Sequence, residues 1–231
     1  MTGIPPDSRQ SDQTLRIHGL GPFSADRVRA IKLSDCAFGG AYSLGCSVRR
    51  SDVVEIRTHR TILRPWREGD RDALAAMLAD SEVMHDYPAP LSRAESDEKF
   101  DSYAAGYQQN GYGRMLLETI DGAFLGYVGI KSIPPLHAGA GVGEGVEIGW
   151  RLIRKAWGQG FATEAARAAL DDGFRRMGFD EVLTYTSPTN VRSQAVMLRL
   201  GLTREVTRDF AYEVDGVTYL TVVFVAYPTT G

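Results

Sequence analysis

The sequence predicts an α+β chain, one sheet flanked by helices, in the order strand, two helices, strand meander, helix, strand, helix and closing hairpin. Three observations carry that expectation. Apolar residues switch between helical and strand periodicity along residues 56–227. Ser92-Arg93-Ala94-Glu95 is a capping box, and Asp121-Gly122 and Asp215-Gly216 are hairpin turns between strand-like runs. Residues 146–166 read as a buried strand, a glycine turn and the start of an alanine-rich helix.

Residues 1–54 read as a largely disordered N-terminal extension: Pro5-Pro6 and Gly39-Gly40 interrupt any pattern, and only residues 28–33 alternate like a strand. A regulatory or partner-binding arm is the functional alternative for this segment. The folded domain is expected over residues 55–231. It opens with the strand Thr61-Ile62-Leu63-Arg64, closed by Pro65, and Asp70 is the expected N-cap of a helix that buries Leu74, Met77 and Leu78.

The capping box starts a second helix, with Phe100, Tyr103, Ala104 and Tyr107 on one side and Gly111 beyond its end. Strands follow at residues 114–120 and 124–132. The loop 134–145 has glycine at positions 139, 141, 143 and 145 but no helix behind it, so a mobile loop is expected there rather than a phosphate cradle. In the helix after the glycine turn, Ala162, Ala165, Ala166, Ala169, Leu170, Gly173, Phe174 and Met177 form a buried stripe, and Gly178 ends it. A buried strand at 181–186 leads to a short helix with Val196, Met197 and Leu200 inward. Residues 203–209 and 217–227 are expected to close the chain as a hairpin.

The chemistry centres on the glycine turn. Gly158 and Gly160 lack Cβ atoms, so the backbone can adopt unusual dihedrals and approach a ligand. The helix behind them offers unpaired N–H groups and a positive dipole end, which suits a pyrophosphate. A Walker loop is excluded, because no Gly-Lys-Ser/Thr follows at the required spacing. A dinucleotide fingerprint is excluded too, since Thr163 stands where its third glycine belongs.

What remains, Lys155-x-x-Gly158-x-Gly160, strongly resembles the coenzyme A pyrophosphate loop of the GNAT acyltransferases, with Lys155 replacing the usual Arg or Gln. Downstream, Asn190-x-x-Ser193-x-x-x-Met197-x-x-x-Gly201-Leu202 resembles a motif of the RimJ/RimL-like branch, Leu202 replacing an aromatic residue. The run from Thr58 to Trp66 resembles that branch's opening strand. The resemblance implies a mixed, mostly antiparallel sheet in which the strands at 146–153 and 181–186 are a splayed parallel pair. It also implies an acetyl-CoA-dependent N-acetyltransferase acting on a primary amine, either a protein N-terminus or a small molecule, by direct transfer in a ternary complex. A homodimer is compatible with it, the final hairpin supplying an edge.

On this reading the pantetheine arm pairs with the strand near Leu152 and Ile153, and the pyrophosphate meets Lys155, Gly158, Gln159, Gly160, Phe161 and Ala162. Asn190 either pairs an amide of the arm or caps its helix. Glu147 is the candidate base, its pKa expected to rise through partial burial; a structural carboxylate paired with an Arg is the alternative, and Glu144 a weaker substitute. Ser193 is the candidate acid toward the thiolate, since Met197 stands where the family often has a tyrosine; helix-start capping is its alternative role. Tyr87 is a candidate acceptor contact, whereas Tyr103 and Tyr107 are expected in the core.

Composition narrows the rest. A net charge of −3 and the absence of a basic run argue against nucleic acid or an anionic membrane as partner. No apolar run approaches membrane-spanning length, and no signal-peptide layout appears, so a cytoplasmic setting is expected. Cys36 and Cys46 fit neither a metal pair nor a disulfide framework, and His18, His59, His85 and His137 show no ligand spacing, so no metal is expected. The competing reading is a coenzyme A-binding regulatory or interaction module without catalysis.

Overall fold

The computed structural model describes residues 54–229, so the N-terminal extension and the strand expected at 28–33 lie outside the described residues. One sheet runs through this region in the order β1 (Ile56–Arg57), β2 (Thr61–Arg64), β3 (Arg114–Thr119), β4 (Phe124–Ser132), β5 (Val146–Leu152), β6 (Val182–Thr186), β9 (Val217–Ala226) and β7 (Thr203–Arg204), with β8 (Phe210–Val214) pairing β9. All of these pairs are antiparallel except β5 with β6. The mixed sheet and its parallel step are therefore as expected. Helices α1 (Arg71–Leu78) and α2 (Arg93–Asn110) pack on one face, where Leu74, Leu78, Phe100 and Tyr103 meet Leu116 and Tyr127.

On the other face, α4 (Phe161–Arg175) and α5 (Val191–Arg199) cover Val128, Ile130, Ile148 and Leu152. The small residues of α4 let it lie close to the sheet. A Cβ on Gly173 would come within 2.6 Å of the Ile130 side chain, so the glycine is required by the packing distance. The capping box is formed as expected, Ser92 accepting from the Glu95 N–H while the Glu95 carboxylate takes the Ser92 N–H.

Several expectations need correction. Asp70 stands at the N-cap of α1, but its side chain does not cap that helix. Its carboxylate instead receives the Arg64 guanidinium at 2.7 and 3.0 Å and the Arg67 N–H at 2.7 Å, because a buried arginine beside it needs an anion more than a solvated helix end does. The segment 134–145 is not a featureless loop: a helical turn α3 (Pro135–His137) continues into a wider turn, Ala138–Val142, that kinks at Gly141 and buries Val142. Finally, the partner of β9 across Asp215-Gly216 is β8, not residues 203–209. Those residues divide into the short β7 and a 3-10 turn, Val206–Arg208. Among the described residues no helix is long and apolar enough to cross a membrane.

Candidate active site

The parallel pair is joined at one position only, Glu147 opposite Leu183. β6 pairs β9 on its other edge from Val182 to Thr186, but no further rung among the described residues joins it to β5, so the end of β5 is left facing a gap. Which backbone groups face that gap follows from the other edge of β5. The Ile153 N–H donates to the Leu125 carbonyl at 2.9 Å, so odd-numbered residues turn their groups to β4 and even-numbered ones turn theirs to the gap. Ile153 therefore does not offer its amide to a ligand, contrary to expectation. Leu152 offers its N–H, but its carbonyl accepts the Trp157 indole N–H at 2.8 Å. Sequence reasoning missed Trp150, which presents both an N–H and a carbonyl to the gap.

At the end of β5 a 3-10 turn, Arg154–Ala156, leads to Gly158 and Gly160, with φ of 75° and 81°. An L side chain rarely adopts such angles, so both positions depend on glycine. Gly160 occupies the N-cap of α4, and the first rung of the helix runs from the Glu164 N–H to the Gly160 carbonyl at 3.0 Å. The N–H groups of Phe161, Ala162 and Thr163 precede that ladder and point out of the helix end. Gln159 does not extend toward a ligand: its side-chain amide folds back onto the Lys155 carbonyl at 2.6 Å and closes the loop, while Lys155 itself is exposed.

A latch from the β1–β2 turn holds this loop. Glu164 accepts from the Thr58 hydroxyl at 2.6 Å, the Arg60 N–H at 2.9 Å and the Arg60 guanidinium at 2.7 Å. The same guanidinium donates to the Gln159 carbonyl at 2.9 Å and lies 4.6 Å above the Phe161 ring. Trp157 is flanked by Arg154 and Arg192, each guanidinium within 4.9 Å of its ring.

The opposite face of β4 and β5, toward α1 and α2, is built from side chains. Facing pairs there are Tyr127 with Arg151, Gly129 with Gly149, and Lys131 with Glu147. The Arg114 guanidinium crosses from β3 over Gly149 to Glu147, Nη2 to Oε1, at 2.6 Å, while Gly129 lets β4 approach the Gly113 backbone. A Cβ on Gly149 would lie 2.5 Å from Arg114 Nη2, so Gly149 is what admits the arginine. Arg114 also donates to the Gly129 and Glu147 carbonyls, and the Lys131 ammonium lies 3.7 Å from the Glu147 carboxylate.

This corrects the expectation for Glu147. Burial alone pushes its carboxyl up, but Arg114 and Lys131 pull harder, and the net result is below the usual carboxylate value. The pairing with an Arg that the alternative reading anticipated is present, and it keeps the carboxylate anionic. Glu144 is exposed in the turn before β5.

Around this pair stands a ring of groups that, Tyr87 apart, sequence reasoning missed. Arg151 makes a two-pronged bond to Asp86 at 2.7 and 3.0 Å and covers the Tyr87 ring at 4.9 Å, which ties the α1–α2 connection to the central strand. The Tyr127 phenol is pushed up by burial, but Arg151, Lys99, a bond from Tyr103 and Arg114 together hold it below the usual tyrosine value. His137 Nδ1 lies 2.8 Å from the Tyr185 hydroxyl, and its ring packs on Tyr185, Phe210 and Tyr212. Burial lowers the His137 pKa to about 4, so it is neutral at pH 7. Tyr103 and Tyr107 are buried as expected.

In α5, Asn190 Oδ1 accepts the Ser193 N–H at 3.1 Å, so Asn190 performs the capping role. Ser193 is half-buried in the first turn, and Met197 is fully buried against α4 and the sheet. The missed residues left some trace in the sequence. Glycines inside the strands, Gly129 and Gly149, signal close approach of another group, and Arg114 stands at the head of the apolar run Met115-Leu116-Leu117.

A parallel pair that opens after one rung, a glycine cradle at its end and helices on both faces define an acyl-coenzyme A acyltransferase fold. Residues 60–203 match the acetyltransferase (GNAT) domain family. The chain is 29% identical over 175 residues to the uncharacterized N-acetyltransferase YoaA of Bacillus subtilis, spanning 73% of this chain and 94% of YoaA. It is 33% identical over 155 residues to YkkB of the same organism, spanning 64% and 85%. Among solved structures, an acetyltransferase of Agrobacterium tumefaciens superposes with a TM-score of 0.63 at 25% identity, over 77% of this chain and 96% of that one. RimL, a ribosomal L7/L12 α-N-protein acetyltransferase, shares the fold with a TM-score of 0.61 at 17% identity, over 76% and 95%. The chain belongs to the GNAT acetyltransferase family and is an acyltransferase.

Proposed function

We propose that the enzyme moves an acetyl group from acetyl-coenzyme A to a primary amine by direct attack in a ternary complex. The observation that carries this reading is the opening of β5 from β6 onto a cradle of N–H groups. The cradle fits the co-substrate: left-handed glycines give close backbone approach, the first N–H groups of α4 suit a pyrophosphate, and the groups of Trp150 and Leu152 suit the amides of a pantetheine arm. Acetyl-coenzyme A supplies an activated acyl group as a thioester. The new bond is nitrogen to carbonyl carbon, the bond broken is carbonyl carbon to sulfur, and the amine proton must leave while the thiolate gains one.

Glu147, on the acceptor face of β5, is the proposed proton-accepting carboxylate, acting through water, and Ser193, at the start of α5, the proposed donor to the thiolate. Because Arg114 holds Glu147 anionic throughout the neutral range, the alkaline dependence of kcat/KM should follow the acceptor's own amine and move with its pKa. Glu147→Gln should lower kcat/KM by about a hundredfold or more with coenzyme A binding retained by thermal shift. Undiminished turnover would remove Glu147 from the chemistry. Failure to release thiol with any amine, in a protein that still binds coenzyme A, would favour the non-catalytic binding module.

A further inference from the structure

Among the described residues, four cations and two carboxylates gather where the α1–α2 connection and α2 meet the facing pairs of β4 and β5. Arg114 is matched by Glu147 at 2.6 Å and Arg151 by Asp86 at 2.7 Å. Lys131 reaches Glu147 only at 3.7 Å, as a second cation on a carboxylate already engaged. Lys99 makes no ion pair among the described residues; its ammonium lies 5.8 Å above the Tyr87 ring and 5.7 Å above the Tyr103 ring. Two positive charges are therefore left over, both half-buried. They share one field: Lys131 is lowered by burial and then by Arg114 and Lys99, against the pull of Glu147.

Their chemistry is unusual for this chain. Only four of its 26 basic residues are lysines, Lys32, Lys99, Lys131 and Lys155, so finding two beside one cleft is poorly explained as scattered surface charge. An ammonium is a compact point charge on a flexible stem and suits a small anion that varies in orientation. Across the cleft stands an aromatic wall, in which His137 lies 5.2 Å from Tyr185 and 4.5 Å from Tyr212, ring to ring. Leu183 pairs Glu147, which pairs Lys131, and Tyr185 lies two residues beyond Leu183 on the same strand, so this wall stands on the same face of the sheet as Glu147 and Lys131.

We propose that the acceptor is an amine that also carries an anionic group, held by Lys99 and Lys131, with its apolar part against His137, Tyr185 and Tyr212. The assignment of this cleft to the acceptor rests on the acetyl-transfer reading above, whereas the anion preference is read independently by binding. Two matched pairs serve as probes: L-phenylalanine with L-phenylalaninamide, and phosphoethanolamine with ethanolamine. Each keeps the amine and changes only the anion, and together they separate a carboxylate from a phosphate.

Calorimetric titration of the full chain, with and without saturating coenzyme A, should give at least tenfold tighter binding of the anionic member in one pair. That advantage should weaken with salt and collapse toward unity in Lys99→Met and in Lys131→Met, which keep the apolar stem. Equal affinity within both pairs, or no binding of either anion, overturns the proposal. Thiol release from acetyl-coenzyme A, measured in parallel on the same four compounds, reports on acetyl transfer, so failure of that reading is seen separately from failure of anion recognition.

Discussion

On the proposed coenzyme side of β5 the surface is main chain: N–H groups of Phe161, Ala162 and Thr163, glycines at 158 and 160, the gap-facing groups of Trp150 and the Leu152 N–H. Side chains such as Arg60, Gln159 and Glu164 hold this surface from behind. On the proposed acceptor side the surface is side chain, drawn from the α1–α2 connection, α2, β3, β4, β5 and the α3 turn, with charge buried beneath it. A main-chain site is fixed once the turn and the helix start are formed. A side-chain site depends on sheet register and on each buried charge finding its partner, so the two sides should respond differently to the same kind of insult.

The largest expected effect is at Arg114. Arg114→Met strands the Glu147 carboxylate in a buried site with only Lys131 nearby, and breaking such a pair costs about 3–5 kcal/mol. Urea unfolding should register that loss, and Arg114→Met with Glu147→Met should recover most of it, since an apolar pair replaces an ionic one. A single variant within about 1 kcal/mol of the parent would mean that the pair is solvated and that the acceptor side is not the charge-sensitive half.

His137 tests the same side through pH. Its folded value is about 4 against an ordinary 6.5, so between these values the unfolded chain binds the proton and the folded chain does not. The stability contributed by keeping it neutral is complete above pH 6.5 and is lost as pH falls toward 4; it amounts to at most about 3 kcal/mol. His137→Phe should flatten the stability profile across that window. An unchanged slope in the variant would assign the acid sensitivity to other groups.

Arg60 tests the coenzyme side. Arg60→Ala removes the latch on Glu164 and the Gln159 carbonyl without touching the acceptor face. The KM for acetyl-coenzyme A should rise about tenfold, or about 1.4 kcal/mol, while that for acetyl-pantetheine, which lacks the pyrophosphate, stays where it was. An equal rise for both donors would mean that the turn supports the fold and not the cradle.

The same contrast separates what is legible in the amino-acid sequence from what is not. Gly158, Gly160 and the alanine stripe are local signals, because turn, helix start and helix face all arise within one stretch of chain. The strands are legible one by one for the same reason, whereas their pairing into a mixed sheet with one parallel step is implied by the resemblance to the GNAT acyltransferases and not by any local signal. Arg114 and Glu147 are 33 residues apart and meet only because β3, β4 and β5 pair in one register. No spacing rule connects them, and the direction of the Glu147 shift cannot be foreseen without its partners. His137 sits in a glycine-rich segment with no helical period, and Ile153 can be assigned to the wrong edge because edge polarity depends on the neighbouring strand's register.

Asn190 gives the smallest effect and separates two roles at the boundary between the sides. Its carbonyl oxygen caps α5, and the side-chain amide N–H groups are what a pantetheine carbonyl would use. Asn190→Ala removes both functions and should cost about 1 kcal/mol of stability. Asn190→Ser keeps a capping oxygen and removes the amide donor, so its stability should stay near that of the parent. If coenzyme A affinity in the serine variant also stays at the parent value, the residue acts by capping alone. If affinity falls while stability holds, the amide belongs to the coenzyme site, and the main-chain surface is completed by a side chain at its far edge.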